Sequence, residues 1–205
     1  MQEITKGEGR RSFPSFLSNF LSFFSIFALG SFLILHPAAV RPAESKELSR
    51  FDRLAEEATQ LNKRGNHGEV IRLLAPLKDD PKNDNALFFN ELGIAYRHQQ
   101  QLPEAASAYR EALKRDPENP VVMKNLGDVL YLQKDYSQAI ELYQRVLRSN
   151  PYFEQAHYSL GLAYYRLEKY PESLEEFEKV LNLNPQDESA KKFREAILKK
   201  LEKRK

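Results

Sequence analysis

Cysteine is absent from all 205 residues. Disulfides, thiolate nucleophiles and cysteine-ligated zinc are thereby excluded together. So is the lipid-bearing cysteine that anchors a bacterial lipoprotein, whereas the redox compartment stays open because proteins of every compartment can lack cysteine. Neither sign of charge dominates. With 31 Lys and Arg against 29 Asp and Glu the net charge is +2, so no basic field covers the molecule and nucleic-acid binding would need a local patch. Catalytic signatures are also missing: the chain carries no P-loop, no Gly-x-Ser-x-Gly, no His-Glu-x-x-His and no dinucleotide fingerprint. The lone Gly7-Glu8-Gly9 lacks the third glycine of that fingerprint.

The N-terminal region is apolar. Between Arg11 and Arg41 the only ionisable side chain is His36. The core of the stretch, residues 16–35, is long enough as a helix to span about 30 Å, the thickness of a bilayer's hydrocarbon layer. Residues 1–12 read as a basic leader, 13–36 as a transmembrane helix or signal segment, and 37–46 as a linker broken by Pro37 and Pro42. A retained signal anchor is favoured because the run exceeds the usual length of a cleavable signal. A cleaved signal with Ala28-Leu29-Gly30 as its small-x-small site, or a buried helix of the folded domain, are the alternatives. Basic residues flank both sides, Lys6, Arg10 and Arg11 before and Arg41, Lys46, Arg50 and Arg53 after. The short leader points to a cytoplasmic N-terminus with the remainder outside the cytoplasm.

Beyond the linker the chain repeats itself. Gly93, Gly127 and Gly161 lie 34 residues apart, and Pro117, Pro151 and Pro185 follow the same interval, each after Asp or Asn. With these glycines as position 8, units begin at 86, 120 and 154. Large side chains then fall at positions 4, 7, 11 and 24: Phe89, Leu92, Tyr96 and Tyr109; Met123, Leu126, Leu130 and Tyr143; His157, Leu160, Tyr164 and Phe177. Spacings of three and four put each set on one helical face. Position 20 is always small (Ala105, Ala139, Ser173). A helical glycine costs about 1 kcal/mol against alanine, so three at one register imply close helix crossing. The prolines end the second helix of each unit, because the residue before proline is driven out of the helical region.

These residues resemble the tetratricopeptide (TPR) repeat superfamily over residues 84–185, in three units at about 86–119, 120–153 and 154–187. The resemblance implies an all-α, right-handed solenoid of helical hairpins. Residues 47–83 follow the pattern more loosely through Leu54, Ala58, Leu61, Val70, Leu74 and Leu77, with Pro81 arriving early, and read as a degenerate N-terminal repeat. Residues 186–205 read as a capping helix, with Ala190, Phe193, Ile197 and Leu201 on one side, ending in a basic tail.

In this family the first helix of each unit lines a concave groove. Carried across, the groove comprises Leu87, Asn90, Ile94, Arg97 and His98 from the first unit, and Val121, Lys124, Asp128, Tyr131 and Leu132 from the second. The third unit contributes Gln155, Tyr158, Leu162, Tyr165 and Arg166. The tyrosines offer amphipathic area, and Asn90, Lys124 and Asp128 offer groups to fix a peptide. One subfamily grips the C-terminal carboxylate of heat-shock proteins with Lys, Asn and Arg at positions 5 and 9 of particular units. Here those positions hold Asn90 and Ile94, Tyr158 and Leu162, or Ala55 and Thr59 in the degenerate unit, so that clamp is absent.

The remaining features carry less. The eight Lys and Arg from Lys191 onward, against Glu195 and Glu202, read as a solvated helix end. His157 reads as a packed ring, His98 as solvent-facing, and the pairs Asp79-Asp80 and Glu175-Glu176 as solvated surface. The sequence therefore predicts a non-enzymatic adaptor with no cofactor or metal, anchored in a membrane and binding a protein or peptide partner in a bacterial envelope complex. The alternative is a periplasmic or secreted chaperone-like protein released by signal cleavage. Nucleic acid and small-molecule substrates are not expected.

Overall fold

The computed structural model describes residues 49–203. Leader, apolar segment and linker at 1–46 lie outside these residues, so the expected transmembrane helix falls beyond the description. Among the described residues no helix is long and apolar enough to cross a membrane.

Nine α-helices and no strand occur among the described residues. They run α1 (Arg50–Lys63), α2 (His67–Leu74), α3 (Ala86–His98), α4 (Leu102–Arg115), α5 (Pro120–Leu132), α6 (Tyr136–Ser149), α7 (Glu154–Arg166), α8 (Tyr170–Leu183) and α9 (Glu188–Glu202). Helices α1, α3, α5 and α7 each pack on their successor as a hairpin, each hairpin stacks on the next, and α9 packs on α8. In α3, α5 and α7 every helix has 13 residues, and in α4, α6 and α8 every helix has 14.

The same physical devices recur at each hairpin corner. The first helix ends in a Schellman-type turn, in which Gln101, Asp135 and Lys169 donate their N–H to Tyr96, Leu130 and Tyr164. Asn66 makes the equivalent bond to Leu61, so α1–α2 is built like the three regular units. The second helices stop at Asp116, Asn150 and Asn184, whose φ near −135° is extended backbone imposed by the following proline. The α1–α2 unit departs from the others because Pro76 offers no N–H. The α-helix gives way after Leu74 to a single 3₁₀ turn at Ala75–Leu77.

Position 8 meets position 24 in every regular unit. A Cβ added at Gly93 would lie 2.7 Å from the Tyr109 ring, at Gly127 2.6 Å from Tyr143, and at Gly161 3.0 Å from Phe177. Ala105, Ala139 and Ser173 are fully buried beside these crossings. The Ser173 hydroxyl donates to the Gly161 carbonyl at 2.8 Å. The apolar seam continues to α9, where Ala190 and Ile197 are buried and Phe193 stacks on Phe177 at 4.9 Å between centroids.

Alanine at position 8 gains about 1 kcal/mol of helix propensity but overpacks the crossing, at a typical cost of about 1–3 kcal/mol. Gly93→Ala and Gly127→Ala should therefore lower the melting temperature by a few degrees, with Gly161→Ala closest to neutral because its contact is loosest. Thermal melts by circular dichroism read the order. A series in which all three substitutions stabilise equally would refute close crossing at these glycines.

Candidate functional site

Helices α3, α5 and α7 lie side by side and present positions 2, 5, 9, 12 and 13 on one face, with α1 extending it at one end. Three large apolar side chains on this face are left in solvent: Leu87 is 43% exposed, Val121 52% and Leu132 48%. Near Leu87, Asn90 and Val121 a cleft of about 750 Å³ opens, rimmed by Asp52, Asp84 and Asp116 and lined by no lysine or arginine. A second cavity of about 220 Å³ spans all three units and is lined by Arg97, Asp128, Tyr131, Leu132, Tyr143, Ser159 and Leu162.

The polar residues expected to hold a peptide are instead tied into the wall. Asn90 is buried, donates to Glu91 at 3.3 Å, and accepts from Asn125 of the next unit at 3.2 Å. Glu91 in turn accepts from Asn62 of α1 at 2.8 Å, which links three first helices through one chain of side chains. Lys124 and Asp128 form an ion pair at 2.7 Å, as the i,i+4 spacing allows. The other Asp128 oxygen accepts from the Tyr143 hydroxyl at 3.0 Å and the Ser159 hydroxyl at 3.4 Å. Burial, with the adjacent Asp128 carboxylate, pushes the ionisation of Tyr143 far above the usual phenol range, so it remains a donor. Tyr131 accepts from Arg166 Nε at 2.9 Å.

In the third unit the expected groove residues are partly taken by the core. Tyr158 and Tyr165 pack edge-on against Phe193 of α9, at 6.1 and 5.8 Å, and Leu162 belongs to the same cluster. The capping helix docks as a further first helix would, and its phenylalanine covers them. Gln155 stays exposed, while Ile94 and Arg97 are half-buried. The open part of the groove is thus formed chiefly by the first two units.

One reading of a single residue gains detail and another changes. His98 is exposed but not isolated: its ring stacks on His67 at 4.0 Å, and burial, then His67, then Arg97 hold its ionisation below the usual imidazole range. Glu176 is buried rather than solvated, because its partner is 19 residues away. Its Oε2 meets His157 Nδ1 at 2.6 Å, and its Oε1 accepts from Lys179 at 2.9 Å. His157 Nε2 donates to the Pro151 carbonyl at 2.9 Å, so the ring serves a turn. Among the described residues no group of three or more His, Asp or Glu is placed to hold a metal ion.

The stacked helical hairpins and their groove define a helical-repeat solenoid. The sequence profile of the tetratricopeptide repeat matches residues 77–120, 90–152 and 125–188, together more than half of the chain. The chain belongs to the tetratricopeptide repeat family. No curated protein matches it in sequence. Among solved structures it is similar to the first TPR of Spaghetti (RPAP3) bound to an HSP90 peptide, with 28% identity and a TM-score of 0.55, covering 57% of this chain and 92% of that one. It is also similar to PilF of Pseudomonas aeruginosa, at 26% identity and a TM-score of 0.65, over 75% of this chain and 69% of that one. MamA from AMB-1 shares the fold at 21% identity and a TM-score of 0.67, over 72% and 87%.

Proposed function

We propose that this chain is a non-enzymatic adaptor that holds a partner polypeptide along the groove of α1, α3 and α5, and that residues 13–36 fix it in a membrane. The observation that carries the first part is the exposure of Leu87, Val121 and Leu132 on one face. Apolar side chains left in water beside formed clefts are what a binding surface requires and what a purely structural face would shed. The peptide-bound first TPR of Spaghetti supports occupancy of such a groove in this family. A heat-shock carboxylate is not the ligand here, since Asn90 and Ile94, and Tyr158 and Leu162, stand where the clamp would need its cations and amide.

Rigidity suits this role. Asn62, Glu91, Asn90 and Asn125, then Asp128, Tyr143 and Ser159, join successive units by hydrogen bonds. The groove is held in shape before a partner arrives, which lowers the ordering cost of association. The membrane part of the reading rests on the apolar run and, for its orientation, on the short basic leader before it. It places the repeats outside the cytoplasm, in a bacterial envelope complex.

A photo-crosslinker at Val121 in the full chain should capture a partner polypeptide in the cells that express it. The double variant Leu87→Ser, Leu132→Ser should reduce that capture about tenfold, the loss expected for giving up two apolar contacts. Capture that is unchanged in the variant moves binding off this face.

Protease added to intact spheroplasts should digest the repeats, and the intact mass should retain residues 1–36. Digestion only after lysis would reverse the orientation. A mature chain beginning between about residues 31 and 44 would instead establish the cleaved, periplasmic or secreted form.

A further inference from the structure

Leu87 stands where two clefts of the groove meet. One, of about 750 Å³, runs past the starts of α1, α3 and α5, and the other, of about 560 Å³, lies along α1. Leu87 and Val121, both in solvent, are the apolar surface that a ligand would cover here. Neither is repeated in the third unit, where position 2 is Gln155.

The charge around this surface is mostly of one sign. The two clefts are lined by Asp52, Glu56, Glu57, Asp84 and Asp116, and Arg53 is the one lysine or arginine among their lining residues. Asp52 serves the cap of α1 and holds the Asn85 amide, so the charge open to a ligand is chiefly that of the other four. Asp84, Glu56 and Glu57 are exposed and Asp116 is half-buried. Among the described residues none of these four has an ion-pair partner. Asp116 accepts from the Asn119 amide at 2.8 Å, a neutral donor that orients the carboxylate and leaves its charge in place. Acidity ends where the apolar exposure ends: position 31 is Asp116 in the first unit but Asn150 and Asn184 in the next two.

The helix ends do not reverse this sign. The N-termini of α3 and α5 open on the larger cleft, each equivalent to roughly half a positive charge, which is less than the carboxylates supply. Their donors are largely answered: Asn85 accepts from Phe88, Asn119 accepts from Val121 and Val122, and Pro120 has no N–H to give. We propose, resting on the groove reading above, that the partner segment held by α1, α3 and α5 is basic as well as apolar. Its aliphatic side chains cover Leu87 and Val121, and lysine or arginine side chains beside them reach Asp84, Asp116 and Glu56. Like-charge repulsion at the same rim turns acidic polypeptides away, so charge sets the choice of partner and apolar contact supplies the hold.

The test uses the full chain in a nonionic detergent and a fluorescein-labelled hexapeptide, Lys-Leu-Lys-Val-Leu-Lys, with analogues in which glutamine or glutamate replaces lysine. Anisotropy should show saturable binding of the lysine peptide, weaker binding of the glutamine analogue and none of the glutamate analogue. The double variant Asp84→Asn, Asp116→Asn should weaken the lysine peptide about tenfold, as two exposed charge pairs are lost, and leave the glutamine analogue unchanged. Asparagine at 116 is what the other two units carry there, and circular dichroism checks that each variant is folded. Leu87→Ser should weaken both peptides. Equal affinity for lysine and glutamate peptides, both weakened by Leu87→Ser, would overturn the basic partner and leave the groove reading standing. Lysine-peptide binding that Leu87→Ser leaves unchanged would overturn both, and absence of saturable binding, or affinity retained in the asparagine variant, would overturn the basic partner. So would sedimentation showing that the chain self-associates through Asp84 and Asp116, since a second copy would then fill the groove.

Discussion

A glycine facing an aromatic ring sets the geometry of each unit. Gly93 against Tyr109, Gly127 against Tyr143 and Gly161 against Phe177 leave no room for a methyl group without a shift of the ring. The two helices of a hairpin therefore cross at the same place and depth three times. Identical hairpins joined by identical turns stack with one repeating displacement, which brings α3, α5 and α7 side by side. The cross-unit bonds Asn125 to Asn90 and Arg166 to Tyr131, each spanning 35 residues, are consequences of that displacement.

Positions that do not hold the seam are free to differ, and the proposed binding face lies among them. Position 2 carries Leu87 and Val121 into solvent and then changes to Gln155 in the third unit, where the groove closes beneath α9. Position 30 runs from Arg115 through Ser149 to Leu183, and Arg115 lies over the Phe89 ring of its own unit at 4.1 Å. The invariant demand near that position is a capped carbonyl before each first helix. Three different side chains meet it, Arg115, Arg145 and His157.

The all-helical repeat was legible because glycine, proline and the apolar positions share one period, and each has a local physical cause. Side chains whose partners lie in another unit were harder to read. Asn90, Lys124 and Asp128 looked free to bind a ligand, yet each has a neighbour within hydrogen-bonding distance that only the stacking supplies. Tyr158 and Tyr165 looked like groove lining because Phe193, which covers them, belongs to a helix outside the repeating frame. Glu176 looked solvated because Glu175 beside it is, while His157 sits on another helix. Pro76, which shortens α2, was a local signal that the weaker apolar pattern of that unit obscured. The apolar N-terminal segment lies outside the described residues.

The dependence of the whole array on the glycine–ring crossing is tested most directly by a double-mutant cycle between Gly93 and Tyr109. Tyr109 suits the purpose because its ring is fully buried and lies against the position a Gly93 Cβ would take. Gly93→Ala should destabilise the otherwise unchanged protein. In the Tyr109→Leu background it should be neutral or stabilising by up to about 1 kcal/mol, giving a coupling energy of about 1–3 kcal/mol. Additive effects, with Gly93→Ala equally costly in both backgrounds, would contradict the account.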